Sequence, residues 1–251
     1  MSAARAATLA LEPGTERLVV LGDPHGDILG LDEVFAREDG PGTAYVSVGD
    51  NVGYADGETS SHLVALLQQR GIPSVLGNHE ATLDDDGRML LSAPGLSATV
   101  TPAALAWARA LPRRLRVDAP ARPAARISVV HTLPDWSYVS ARAAERLLDV
   151  EQVDLVLCGH SHRAAVYRVA GDGVTAHGLD PRRKTPLRVP WEDGARYVVD
   201  AGSLGRPNSP RGGARLDRAT YAVVDFAAGE LRLHAFDKGP RLRALFGFDA
   251  T

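Results

Sequence analysis

Five times along this chain an apolar run of strand length stops and hands over to residue types that bind metals. ERLVVLG ends in Asp23-Pro24-His25, and AYVSVG ends in Asp50-Asn51. IPSVLG ends in Asn78-His79-Glu80, ISVV in His131, and VDLVLCG in His160-Ser161-His162. Short Val/Leu/Ile-rich runs bounded by Gly are the pattern of strands buried on both faces. In open α/β sheets the ligand crevice lies beyond the carboxyl ends of the strands. The reading therefore predicts that all five clusters converge on one edge of one sheet. That would gather two aspartates, an asparagine and up to five of the chain's eight histidines in a single site.

Composition narrows the class. With 251 residues, 45% hydrophobic and 24% charged, the chain reads as an ordinary globular protein. No apolar run approaches the roughly 18 residues of a membrane span, so no membrane partner is expected. The N-terminal stretch 1–15 reads as a frayed leader rather than a signal peptide, because it lacks a clear apolar h-region before Pro13-Gly14. The single cysteine, Cys158, has no partner for an internal disulfide and reads as a small buried hydrophobe. A cytoplasmic location follows as the default. A net charge of -3 gives no basic footprint for stable nucleic-acid binding. A nucleotide substrate stays open, since a metal site can supply positive charge locally.

Strand and helix patterns alternate from about residue 17 to 158, with strands at 17–22 and 44–48. Helical spacing appears in ILGLDEVFARE, and SSHLVALLQQRG reads as a helix with Ser60 or Ser61 at its N-cap and Gly71 at its end. TPAALAWARA opens with Thr and Pro in N-cap and N1 positions, and Ser140 caps a helix over 140–149. From residue 163 strands dominate: AAVYRVA, ARYVVDAG, ATYAVVDF and ELRLHAF, the last two joined by a hairpin. The fold class is α/β: a single domain over 1–251 with two packed sheets and helices outside. Residues 171–194 form a loop-like insert with room for one short hairpin, and a loop of that length is often functional.

Each motif has a bland reading when taken alone. Asp-x-His can be a surface pair, Gly-Asp a turn, and His131 a satisfied core histidine. Gly-Asn-His-Glu and Gly-His-Ser-His are more specific, because two histidines two apart rarely serve packing. The conjunction carries the weight: all five occur in order, each after a strand pattern.

The order DPH, GD, GNHE, H, GHSH resembles that of the calcineurin-like metallophosphoesterases, the binuclear metallophosphatases. The resemblance covers residues 17 to about 236. DAGSLGRPNSPR followed by ATYAVVDF resembles the small bacterial and archaeal phosphodiesterase branch. It implies a four-layer α/β/β/α sandwich of two mixed sheets. It implies two divalent ions, one held by Asp23, His25, Asp50 and His162, the other by Asp50, Asn78, His131 and His160, with Asp50 bridging. The oxygen and nitrogen donors suit Mn, Fe, Zn or Ni, with manganese expected. The implied reaction is hydrolysis of a phosphodiester or phosphomonoester by a hydroxide bound at the dimetal centre, with His79 as general acid or transition-state stabiliser.

Two departures stand out. Protein Ser/Thr phosphatases carry an Asp and an Arg after the Gly-Asp motif, whereas this chain reads GDNVGYADG with Gly53 at the Asp position. That argues against the phosphoprotein phosphatase branch, and a dinucleoside polyphosphate hydrolase or protein phosphatase is the alternative among enzymes. Pro24 removes one backbone donor and fixes φ without disturbing the ligands. A non-catalytic scaffold, as in the retromer subunit of this fold, is the alternative from another class, and the full ligand set speaks against it. Tyr54, Arg206 and Asn208 lie in loops that could face the site as substrate contacts. Arg182, Arg183 and Lys184 read as solvated surface, His62 and His177 likewise, and His234 as a strand residue.

Overall fold

In the computed structural model residues 6–89, 99–208 and 217–239 are described. Among them lie twelve strands: β1 Ala6–Ala10, β2 Arg17–Leu21, β3 Thr43–Ser47, β4 Arg114–Asp118, β5 Ile127–Val130, β6 Leu155–Cys158, β7 Ala165–Ala170, β8 Gly173–Gly178, β9 Leu187–Pro190, β10 Arg196–Asp200, β11 Arg218–Asp225 and β12 Glu230–Asp237. The helices are α1 Ile28–Glu38, α2 Gly57–Gln69, α3 Asn78–Ala81, α4 Pro102–Ala110 and α5 Ala141–Glu151. One sheet has seven strands in the order β1-β4-β5-β6-β10-β7-β8, the other five in the order β3-β2-β11-β12-β9.

The period of two along each central strand builds the layers. In β2, Leu18 and Val20 enter the core between the sheets, while Val19 and Leu21 pack under α1 and α2 with Leu31, Val34, Phe35, Leu63 and Leu67. In β6, Leu155 and Leu157 face the same inter-sheet core, while Val156 and Cys158 pack under α5 with Leu147 and Leu148. Both faces of each sheet are thus covered, which gives the expected four-layer α/β/β/α sandwich of two mixed sheets.

Several local expectations are corrected. Residues 6–10 of the supposed frayed leader form β1, which pairs parallel with β4 in register Ala6 to Arg114; residues 1–5 lie outside the described residues. This edge strand is largely exposed, so it carries no apolar alternation to read. IPSVLG is not a strand: Ser74 makes only an isolated bridge to Ser47, since Pro73 has no N–H to continue a ladder. Helix α2 starts earlier than expected, because Asp56 accepts the Thr59 amide at 2.7 Å as N-cap. Ser61 instead turns its hydroxyl back to the Gly57 carbonyl at 2.6 Å. The insert 171–194 is not a loop. It supplies β8, antiparallel to β7, and β9, antiparallel to β12, and so crosses from one sheet to the other.

Candidate metal centre

The motifs do not meet at one edge of one sheet. They meet where two sheets end together. Asp23 and Asp50 follow the parallel strands β2 and β3 of the five-stranded sheet, and His131 and His160 follow the parallel strands β5 and β6 of the seven-stranded sheet. The third cluster, Asn78-His79-Glu80, opens α3. Hydrogen bonds cross the gap between sheets. The His160 amide donates to Asp23 Oδ2 at 2.7 Å, and the His131 ring donates through Nδ1 to the Val48 carbonyl at 2.8 Å. Gly159 allows this approach, since a Cβ there would overlap Asp23 Oδ1.

The backbone is bent to aim these side chains. Among the described residues eight non-glycine residues have positive φ: Asp23, His25, Asp50, Tyr54, Trp136, Gln152, His160 and His162. Seven of them border the site; Gln152 is only the C-cap of α5. Such conformations cost on the order of 1 kcal/mol or more each and persist only where surrounding packing holds them. Here the doubly covered core between β2, β3, β5 and β6 does so.

Among the described residues three groups of side chains could hold an ion: Asp23, His25 and His162; His25, Asp50 and His79; and Asp50, His131 and His160, each with ligand atoms within 4.8 Å of one another. Asp50 Oδ2 is the common point, 3.4 Å from His131 Nε2, 3.9 Å from His79 Nε2 and 4.0 Å from His25 Nε2. Asn78 Oδ1 lies 3.0 Å from His131 Nε2, and His160 Nδ1 lies 3.2 Å from it. All seven expected ligand residues are therefore in one cluster.

Ring orientation tests whether this cluster fits cations. His25, His131 and His162 each place Nδ1 on a backbone carbonyl, of Val52 at 3.1 Å, Val48 at 2.8 Å and Arg206 at 3.0 Å. A carbonyl only accepts, so each Nδ1 carries a proton and each Nε2 turns inward, in the neutral rings of His25 and His162 as a bare lone pair. His25 Nε2 and His162 Nε2 then face each other at 2.9 Å, lone pair to lone pair. Asp23 Oδ1 is buried with no hydrogen-bond partner among the described residues. Converging lone pairs and an orphaned carboxylate oxygen fit a cation far better than they fit one another.

Charge tells the same story. Burial pushes Asp23 well above the usual carboxylate range, with Asp50 adding to it. Burial pushes His25 well down and brings His160 and His162 to about 4. His131 is the exception: burial pulls it down, but Asp50 and Asp23 outweigh that and lift it to about 10. Asp50 itself is held below its ordinary value, against its burial, by His131, His25 and His79. Two buried carboxylates thus demand positive charge in this cavity, and His131 is where a proton answers that demand.

His79 differs from the ligand rings. Its Nδ1 is buried with no partner among the described residues, so no carbonyl fixes its tautomer. Burial lowers its pKa, partly countered by Asp50. Gly53 sits against this ring, and a Cβ there would overlap Nδ1. The Gly-for-Asp departure therefore leaves no room for an orienting carboxylate. Glu80 does not bond His79 either.

Glu80 is the residue whose role the motif left unread. Its buried carboxylate accepts the amides of Asp50 at 3.0 Å, Asn51 at 2.6 Å, Val52 at 3.2 Å and Gly77 at 3.0 Å. It clamps the Asp50 loop onto α3. Asp200, raised to about 7 by burial, accepts the Ser161 hydroxyl at 2.6 Å between the two histidines of the last motif. Strand-end spacing flagged motifs but not these supports, whose role is visible only across elements.

Of the expected substrate contacts, Tyr54 and Arg206 do border the site. The Tyr54 ring lies 4.7 Å from His25 and 4.8 Å from His79, and the Arg206 guanidinium lies 4.2 Å over the Tyr54 ring. Asn208 is committed elsewhere: its amide donates to the Ser161 carbonyl at 3.2 Å. Ser209, Pro210 and Arg211, the end of DAGSLGRPNSPR, lie outside the described residues. Arg182 pairs with Asp180 at 2.6 Å on the surface. No helix among the described residues is long and apolar enough to cross a membrane.

Comparison with known proteins defines the class. The family model described as calcineurin-like phosphoesterase matches residues 16–164, more than half of the chain, and the chain belongs to that family. Among solved structures it is similar to a metallophosphoesterase from Sphaerobacter thermophilus, with 22% identity over 94% of this chain and 95% of that one and a TM-score of 0.65. It is also similar to a candidate diadenosine tetraphosphatase, with 20% identity over 93% of this chain and 98% of that one and a TM-score of 0.53. No curated protein matches.

Proposed function

We propose that this chain is a dimetal phosphoesterase that hydrolyses a phosphate ester, with a diester favoured. The observation that carries it is the pair of ligand groups joined through one buried carboxylate oxygen, Asp50 Oδ2. Asp23, His25, Asp50 and His162 would hold one divalent ion, and Asp50, Asn78, His131 and His160 the other. The oxygen and nitrogen donors suit Mn, Fe, Zn or Ni, and manganese is the metal we propose. Bound together, such ions offset the two carboxylates, attract a phosphate ester and lower the pKa of water.

The chain's own residues supply the rest. Carbonyl-held Nδ1–H groups keep His25, His131 and His162 turned with Nε2 toward the cluster. His79, with an unfixed tautomer, donates a proton to the leaving oxygen through Nε2, the nitrogen that faces Asp50. Arg206 places a positive charge at the mouth, where phosphoryl oxygens would pass. A cytoplasmic location fits the single buried cysteine, Cys158.

The test exploits leaving-group chemistry. p-Nitrophenolate leaves unprotonated, whereas an alkoxide needs a proton worth about 10²–10⁴-fold. His79→Asn should slow an alkyl ester far more than the matching p-nitrophenyl ester, with metal content near that of the parent. Equal slowing of both, with metal lost, would make His79 a ligand. Full activity in EDTA would sink the reading altogether.

A further inference from the structure

Among the described residues only three large apolar side chains are exposed: Tyr54 at 36%, Tyr138 at 66% and Val150 at 44%. Two of the three stand on the candidate metal centre. Tyr138 stacks on His160, with centroids 4.7 Å apart and planes at 30°. Tyr54 meets His25 edge-on at 4.7 Å and His79 at 4.8 Å. The two rings therefore stand against different ligand groups, Tyr54 beside His25 and Tyr138 beside His160.

Both rings keep a solvent-exposed part beside the site. Tyr138 is two-thirds exposed in the segment between His131 and α5, so one face lies on an imidazole and the other is open. Tyr54 sits at φ +60°, a conformation that a bulky residue adopts only under constraint. An exposed tyrosine anywhere on a surface needs no explanation. Two of them, flanking a buried cluster of five histidines and two aspartates, do.

A phosphate bound at the cluster has substituents that must leave past these rings. An alkyl group gains little from them, whereas a nucleobase offers a planar face of matching size. Stacking of a base on an aromatic side chain is worth ~1–3 kcal/mol by alanine substitution and tolerates any base. Arg206 already covers Tyr54 at 4.2 Å, so Tyr138 offers the freer platform, and Arg206 is left to face phosphate.

We propose that Tyr138, assisted by Tyr54, is an aromatic subsite that selects nucleoside phosphate esters over esters with small aliphatic groups. This rests on the phosphoesterase reading and names the substrate class of the same site.

The experiment compares two esters with one leaving group: thymidine 5′-(p-nitrophenyl phosphate) and methyl p-nitrophenyl phosphate, both with Mn²⁺-loaded protein. Tyr138→Ala should lower kcat/KM for the thymidine ester about tenfold and leave the methyl ester within about twofold. Tyr138→Phe, which keeps the ring, should retain the parent's preference. Equal losses on both esters, or none on either, would overturn the subsite. Turnover of neither ester by the parent protein would end the diester reading of the site instead. In that case titration with AMP decides the subsite separately. Binding weakened at least about fivefold in Tyr138→Ala supports it, and equal affinity, or no AMP binding to the parent, overturns it.

Discussion

His162 and His234 are pushed to the same place by the same cause. Burial takes each to about 4. Yet one lies in the metal cluster and the other lies on β12 with its ring stacked on Tyr221, 4.7 Å away at 17°. The difference is in what each ring nitrogen meets. His162 donates Nδ1–H to the Arg206 carbonyl and turns Nε2 toward His25 Nε2 and Asp23, 3.5 Å from Asp23 Oδ2. His234 Nε2 is buried with no partner among the described residues, and besides burial the charges that depress it are the like charges of Arg232, Arg188 and Arg37. A depressed pKa reports burial. Convergence of lone pairs on carboxylates reports a ligand.

The largest effect should come from the shared oxygen. Asp50→Asn removes a charge from both ligand groups and should lower metal content, measured by elemental analysis, while reducing kcat by more than about 10³-fold. His234→Gln should leave both unchanged. Loss of metal from His234→Gln, or normal metal and activity in Asp50→Asn, would erase the distinction between the two regions.

A smaller effect sharpens it at one remove from the ligands. Glu80 accepts four backbone amides with two oxygens. A glutamine offers one oxygen, so at least one pair of amides loses its acceptor, at a cost of ~1–3 kcal/mol for each buried donor. Glu80→Gln should lower the denaturation midpoint and weaken Mn²⁺ affinity about 10–100-fold, because the Asp50 loop is no longer clamped. Weakened stability with unaltered metal affinity would make Glu80 a structural residue only.

Most ligand-bearing residues were legible because four of the five motifs follow a central strand, which shows as an unbroken apolar run, whereas Asn78 follows IPSVLG, which forms only an isolated bridge. The joining of two sheets at the site was not legible, because β2 and β6 look alike in sequence while belonging to different sheets. β1, β8 and β9 escaped notice since edge strands have no fully buried face. Glu80 takes the Gly77 amide three residues earlier, but its other backbone partners, Asp50, Asn51 and Val52, lie 28–30 residues earlier, and no local spacing encodes those. Tyr54 and Arg206 were correctly placed near the site from loop position alone, whereas Asn208 proved to be held by Ser161.

The smallest effect tests the far side of the comparison. An unfolded histidine titrates near 6.5, and His234 in the fold titrates at about 4. Between those values the unfolded chain binds a proton that the folded chain does not, so stability rises with pH there and is lost on acidification from 6.5 through 4. His234→Gln should abolish its share, on the order of 2–3 kcal/mol, of the fall in unfolding free energy across that window. The site histidines His25, His160 and His162, whose pKa values are also lowered, contribute with the same sign, so the informative quantity is the parent-minus-variant difference measured by urea denaturation. Added Mn²⁺ should steepen the acid dependence of both proteins, because protons compete with metal at the site. The difference between them should stay the same, since His234 touches no ligand. A difference that changes with Mn²⁺ would couple β12 to the centre and break the separation of the two histidine environments.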